Sequence, residues 1–199
     1  MIIISVFFMK LLAIETCFGK CSLAFFDGIN IYTKLEESKN SHRESLPKML
    51  DEIILEGSFE IKDLDGVIVN HGPGTFTGIR IGIAFAQGLV ASNDVPIYGV
   101  STMEAVVIQK PRGVVGVAIK AIGEFCYYQK FFENGECWDG AVYLKVAEVP
   151  KTEYLLTNCE IGGENVTHID FPNAKNLIER FLFLRPKIYV EPLYLRQAL

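Results

Sequence analysis

Residues 72–82, Gly72-Pro73-Gly74-Thr75-Phe76-Thr77-Gly78-Ile79-Arg80-Ile81-Gly82, specify a strand-to-helix turn. A short apolar run, Val67-Ile68-Val69, enters it as a buried strand, and apolar residues at steps of three and four leave it as a helix reaching about Ser92. At such a junction the first helical N–H groups lack intrahelical partners and the positive end of the helix dipole points outward, which is the geometry of an anion cradle. Gly72 and Gly74 permit torsions that a side chain would block, and Pro73 stiffens the turn between them. Thr75 and Thr77 can each cap the helix or offer a hydroxyl to a phosphate oxygen. No Gly-Lys-Ser/Thr closes the segment and its spacing is not G-x-G-x-x-G, so it is neither a P-loop nor a dinucleotide fingerprint. A tight connection and a phosphate site both fit it.

The flanking pattern places this turn in an α/β fold. Leu11 to Ile14 reads as a buried strand ending at Glu15-Thr16, and residues 21–26 and 29–35 flank Asp27-Gly28, a strong hairpin signal. Ser41-His42-Arg43-Glu44 matches a capping box for a helix to about Glu56, with Leu46, Met49, Leu50, Ile53 and Ile54 on one face. Pro47 sits awkwardly for that start, which predicts a kinked first turn or a start nearer Ser45. Residues 96–100 add a strand, and the order βββαβαβ joins an antiparallel meander to parallel crossovers, as in a ribonuclease-H-like sheet.

From about residue 106 the style repeats without the motif. A hairpin is expected over 113–120 and 124–132, a turn at Asn134-Gly135, a strand over 142–149, and a helix over 173–184 with Leu177, Ile178, Phe181 and Leu182 inward. The division expected is a lobe at 9–105 and a smaller one at 106–199, too short for a full copy of the first.

Two stripes run along the helix after the turn. Phe76, Ile79, Ile83, Ala86 and Val90 form an apolar stripe, and Gly78, Gly82 and Ala86 form a row of small residues four apart. Glycine inside a helix costs roughly 0.8–1.0 kcal/mol relative to alanine, so something packs close to this row. Close packing on the chain's own sheet and contact with a helix of a second subunit both explain it.

Half of the 199 residues are hydrophobic, which suits a globular chain, and the net charge is −5 with 19 Lys and Arg scattered singly or in short pairs. Such a surface supplies little counterion release, so any RNA is expected to be held mainly by a partner. Five cysteines without C-x-x-C pairs or a His-rich companion segment disfavour a zinc site, and their odd number argues against a secreted disulfide framework and fits a reducing cytoplasm. Met1 to Phe8 is apolar without a basic region and too short to span a bilayer, and translation is expected to start at Met9. His42, His71 and His168 do not make a metal set, and no nucleophile elbow is present. His71, beside the glycine turn, can hydrogen-bond an anion or satisfy backbone carbonyls, the second being favoured, and His42 reads as a surface or interface residue at a helix start.

Taken together, Leu12-Ala13-Ile14-Glu15-Thr16, residues 41–47, the glycine segment 72–82, Gly99 to Ala105 and Pro192-Leu193-Tyr194-Leu195-Arg196 resemble the TsaB (YeaZ) family, which serves synthesis of N6-threonylcarbamoyladenosine in transfer RNA. The resemblance is good over Met9 to about Ala105 and patchy beyond. It implies an actin-like ATPase (ASKHA) fold of two ribonuclease-H-like lobes, the second one reduced. It also implies a noncatalytic, cytoplasmic scaffold subunit with no required cofactor, which docks the catalytic TsaD, works with the TsaE ATPase, pairs with itself when alone and meets tRNA only through the complex. The family's helix bundle maps onto 41–56 and 75–92, making His42, Leu46, Met49, Leu50, Ile53, Gly78, Ile79, Gly82 and Ala86 the expected interface. Glu15, Gly72, Gly74, Thr75 and Thr77 leave room for weak ATP or ADP binding without turnover. Departures from the family pattern are Glu15 where aspartate is commoner and Lys120-Ala121-Ile122 where relatives usually carry Asp-Ala-Arg. The alternative reading is an autonomous ATP-dependent kinase or hydrolase of the actin-like fold.

Overall fold

The computed structural model describes residues 9–18, 20–36, 42–107, 113–184 and 190–195, with only the backbone of 42–44. The expected capping box at Ser41 and the segment Met1 to Phe8 lie outside the described residues, as does Arg196.

The first lobe is built on strands β1 (Leu11–Glu15), β2 (Cys21–Phe26), β3 (Ile31–Glu36), β4 (Gly66–Asn70) and β5 (Ile97–Val100), in the order β3-β2-β1-β4-β5. β1, β2 and β3 form the antiparallel meander, and β1, β4 and β5 run parallel. Every residue of β1, β2 and β4 is buried. Continuous apolar strands of this kind need cover on both faces. Helices α1 (His42–Gly57) and α2 (Phe76–Val90) cover one face through Leu46, Met49, Ile53, Ile79 and Ile83. α4 (Ala174–Phe183), from the far end of the chain, covers the other through Leu177, Ile178 and Phe181. Each of these three side chains contributes roughly 1.5–3 kcal/mol by leaving water.

Pro47 lies inside α1, which starts at His42 and runs on through it. The proline is solvent-exposed, and the helix loses one backbone hydrogen bond there.

The second sheet comprises β6 (Val115–Lys120), β7 (Phe125–Phe131), β8 (Val142–Lys145), β9 (Tyr154–Thr157) and β10 (Val166–His168), ordered β10-β9-β6-β7-β8. Its pattern repeats the first sheet, with an antiparallel meander β6-β7-β8 and β9 and β10 parallel beside β6. The second lobe is therefore reduced in its helices and complete in its strands. Where α1 follows β3, only a 3-10 turn at Val146–Glu148 follows β8. That turn also ends the expected strand 142–149 at Lys145. β9 and β10 were not expected from the sequence, because four and three residues are too few to show an alternation.

One face of this sheet packs through Val117, Ile119 and Phe131 against Met103 of the short helix α3 (Thr102–Ala105). The opposite face, with Ala118, Cys126, Tyr128, Leu155 and Cys159, is backed by Val146, Val149, Ile161 and Val166. A cavity of about 780 Å3 opens among Val146, Val149, Pro150, Leu155 and Ile161.

Candidate functional site

β1 and β4 end side by side, and their last residues, Glu15 and Asn70, are both buried. A polar residue closing an apolar parallel strand needs partners, and here they find one another. Asn70 Nδ2 donates to Glu15 Oε2 and, at 3.1 Å, to Thr102 Oγ1. Asn70 Oδ1 accepts from the N–H of Gly72 at 2.9 Å. The hydroxyl of Thr102 donates to the carbonyl of Pro73 at 2.6 Å, and its N–H donates to that of Gly72 at 2.9 Å. Glu15 Oε1 accepts from the N–H of Cys17 at 2.6 Å. Burial pushes the Glu15 carboxyl up to about 7, and the Asn70 and Cys17 hydrogen bonds offset only part of that rise. Neither Asn70 nor Thr102 was singled out in the sequence, although an Asn breaking the run Val67-Ile68-Val69 was the available signal.

The glycine turn is tied into this network. Gly72 sits at φ +107°, a conformation L side chains rarely adopt, and a methyl there would lie 2.7 Å from the carbonyl of Leu193. At Gly74 a methyl would lie 2.7 Å from Cys17 Cβ. Thr75 is the N-cap of α2, its hydroxyl accepting from the N–H of Gly78 at 3.2 Å, and its own N–H donates to the carbonyl of Cys17 at 2.8 Å. Thr77 is exposed. The N–H groups of Gly72, Thr75 and Gly78 are thus engaged within the chain, in the arrangement of a tight connection. Among the described residues no cluster of three or more His, Cys, Asp or Glu is placed to hold a metal.

Glu15 also lines a cavity of about 310 Å3 between the β1–β2 hairpin and the segment before α4, with Ser22, Asp170 and Asn173 around it. Phe18 and Phe171 stack across it, ring centroids 4.6 Å apart. The Cys17 thiol is pushed up by burial and by the neighbouring Glu15 charge, and Cys21 by burial to about 11, so both behave as packing groups. His71, its pKa lowered by burial, holds the C-terminal segment: Nδ1 lies 3.0 Å from the carbonyl of Glu191, and its own carbonyl accepts from Leu193 at 2.7 Å.

The expected partner interface is corrected by the packing. Gly78 and Gly82 face Thr16 of the same chain: a methyl on Gly78 would collide with the Thr16 carbonyl, and one on Gly82 would lie 2.5 Å from Thr16 Oγ1. The Thr16 hydroxyl donates to the carbonyl of Gly78 at 2.7 Å, so the small-residue row is the groove into which the end of β1 fits. Ile79, Ala86, Leu46, Met49 and Ile53 are likewise buried in the monomer core, and only Leu50 of that set remains half-buried. The His42 side chain lies outside the described residues. What the helix pair leaves open shares only Leu50 with that set: half-buried Leu50 and Ile54 on α1 and Ile81, Phe85 and Leu89 on α2, with exposed Leu55, Ala84 and Gln87. Near the start of α2, the Arg80 guanidinium lies 3.8 Å from the Phe76 ring centroid and donates to Tyr194 Oη at 3.0 Å.

Among the described residues no helix is long and apolar enough to cross a membrane. Residues 35–194 match the family model described as TsaD, tRNA N6-adenosine threonylcarbamoyltransferase. A Buchnera aphidicola (subsp. Schizaphis graminum) protein named tRNA threonylcarbamoyladenosine biosynthesis protein TsaB is 30% identical over 196 residues, covering 87% of this chain and 92% of that protein. The Escherichia coli K12 protein of the same name is 34% identical over 95 residues, 48% of this chain and 41% of that protein. The solved structure of YeaZ from Pseudomonas aeruginosa superposes with a TM-score of 0.74 at 22% identity, covering 88% of this chain and 91% of that one, and so shares the fold. With the two-lobed fold, the glycine turn in place and a TsaB-named relative matched over nearly its full length, the chain belongs to the TsaB (YeaZ) family.

Proposed function

We propose that this chain is a noncatalytic subunit in the synthesis of N6-threonylcarbamoyladenosine in tRNA, docking a threonylcarbamoyltransferase of the TsaD kind through α1 and α2. The observation that carries the docking face is the pair of half-buried apolar rows, Leu50 and Ile54 beside Ile81, Phe85 and Leu89. An apolar strip along a helix pair is stabilised when a partner's helices cover it. A second copy of the chain serves as that cover when the transferase is missing, and a TsaE-type ATPase joins as a further component. The role needs no nucleotide at the glycine turn, whose N–H groups at Gly72, Thr75 and Gly78 already have partners.

The test uses two exposed positions that the monomer does not need, Leu55→Glu on α1 and Ala84→Arg on α2. Both variants are expected to keep the wild-type melting midpoint while losing co-purification with the cognate transferase. Undiminished co-purification of both refutes the docking face. Mass spectrometry of tRNA nucleosides after depletion of the protein tests the pathway: unchanged threonylcarbamoyladenosine would contradict it. Calorimetric titration with ATP and magnesium checks for nucleotide binding, and tight binding with hydrolysis would favour an autonomous ATPase.

A further inference from the structure

Arg80 is the only charged residue of α2. With Phe76 and Thr77 one turn before it and Ile83 and Ala84 one turn after it, no acidic side chain of the helix stands where it could pair with the guanidinium. The group is nevertheless held in one place. It lies 3.8 Å from the Phe76 ring centroid and 5.9 Å from that of Tyr194, and its Nε donates to Tyr194 Oη at 3.0 Å. The two rings also meet each other, with centroids 5.1 Å apart.

Tyr194 is delivered there by the glycine turn. The N–H of Leu193 donates to the His71 carbonyl at 2.7 Å, and His71 Nδ1 lies 3.0 Å from the Glu191 carbonyl. These contacts strap the C-terminal segment across the turn, where Gly72 leaves room for the Leu193 carbonyl. Tyr194 takes the Nε side of the guanidinium, and among the described residues Arg80 has no other hydrogen bond and no ion pair. Arg80, Phe76 and Tyr194 are all solvent-exposed. We propose that Arg80, fixed by Phe76 and Tyr194, is the charged anchor of the docking face and takes the carboxylate of an Asp or Glu of the partner transferase on Nη1 and Nη2.

This rests on the docking face proposed above and extends it to the start of α2 and the C-terminal segment. Ile81 follows Arg80 directly and Ala84 lies one turn on, so the anchor is continuous with the apolar row of Ile81, Phe85 and Leu89. A planar guanidinium meets a carboxylate through two parallel hydrogen bonds. The rotamer freedom that an arginine loses on binding is already lost in the free chain, so more of the contact appears as affinity. Arginine and tyrosine at the border of an apolar strip are also the residue types on which binding energy concentrates. The charge selects the partner group. A polyanion such as RNA needs several cations, whereas Arg80 is alone on its helix in a chain of net charge −5. A single carboxylate needs one.

The test measures by calorimetry the affinity of the full-length chain for its cognate transferase, with Leu55→Glu and Ala84→Arg alongside as probes of the face itself. Arg80→Met keeps an apolar stem over Phe76 without the charge, and should bind about 30-fold more weakly or worse. Arg80→Lys should lose about tenfold, because an ammonium cannot offer two parallel donors. Tyr194→Phe keeps the ring and removes the hydrogen bond, for a loss of about fivefold. All replace exposed side chains, so melting midpoints are expected to stay at the wild-type value. Arg80→Glu should abolish binding, and reversal of one Asp or Glu of the transferase to Lys should restore it and identify the carboxylate. Wild-type affinity of Arg80→Met with binding lost by Leu55→Glu would overturn the anchor and leave the docking face standing; wild-type affinity in every variant would remove both. Arg80→Lys binding as tightly as wild type would overturn the two-donor contact. A loss that shows only when tRNA is added would assign the anion to a phosphate and overturn the carboxylate.

Discussion

Replacing Glu15 by glutamine isolates what it costs to keep an ionisable carboxyl in the core. In the unfolded chain this group titrates near 4.5, and in the folded protein at about 7, because burial disfavours its charge more than Asn70 and the Cys17 N–H favour it. The folded state therefore holds the proton more tightly, and the wild type loses stability as pH rises from 4.5 to about 7, with the full penalty above that. At about 1.4 kcal/mol per pH unit the loss is about 3 kcal/mol. Glutamine does not titrate. Its amide nitrogen faces a donor on one side, the Cys17 N–H or Asn70 Nδ2, which adds an offset independent of pH. Urea unfolding of both proteins, followed by circular dichroism at steps from pH 4.5 to about 8, gives the difference at each pH. Wild type minus variant should fall by about 3 kcal/mol across that window and then level off. A difference that stays flat, or that moves in favour of the wild type as pH rises, refutes the account of Glu15.

Gly78→Ala should lower stability by about 3 kcal/mol in chemical denaturation, the upper end for overpacking, because the added methyl meets a backbone carbonyl that cannot rotate away. A variant as stable as wild type would place the small-residue row at the surface after all. Thr102→Val should cost about 1–3 kcal/mol by the same measurement, since the Pro73 carbonyl and one Asn70 N–H lose a buried partner. Arg180 lies buried on α4, donating to the carbonyls of Val107 and Gly135 at 3.2 and 2.9 Å with the Glu104 carboxylate 3.7 Å away. Arg180→Ala should cost about 3–5 kcal/mol, and a loss under about 1 kcal/mol would show that these contacts do not join α4 to the second lobe.

Much of the first lobe is legible because its signals are local. Asp27-Gly28 marks a turn whose carboxylate accepts from the N–H groups of Ile29 and Asn30, and Val67-Ile68-Val69 is apolar on both faces because helices cover both. The glycine turn and the Thr75 cap fall where the spacing places them. The second lobe is less legible because its missing helices leave no 3.6-residue period, and β9 and β10 are shorter than any alternation can reveal. The return of α4 to the first sheet is readable only as an amphipathic helix, since its pattern shows a buried face but not what buries it.

The sequence by itself determined the two-lobed order, the strand-turn-helix at 72–82 and the presence of a row of small residues along α2. Only the tertiary structure decided what that row touches. A spacing of four says that a backbone comes close, whether the chain's own or a partner's. The answer depends on Thr16, 62 residues from Gly78, whose carbonyl and hydroxyl fill the groove and turn the opposite side of α2 toward solvent. The ionisation of Glu15 was decided the same way. A carboxylate at the end of a strand can face water or the core, and its proton affinity rose because burial disfavours the charge by more than the Asn70 and Cys17 hydrogen bonds favour it.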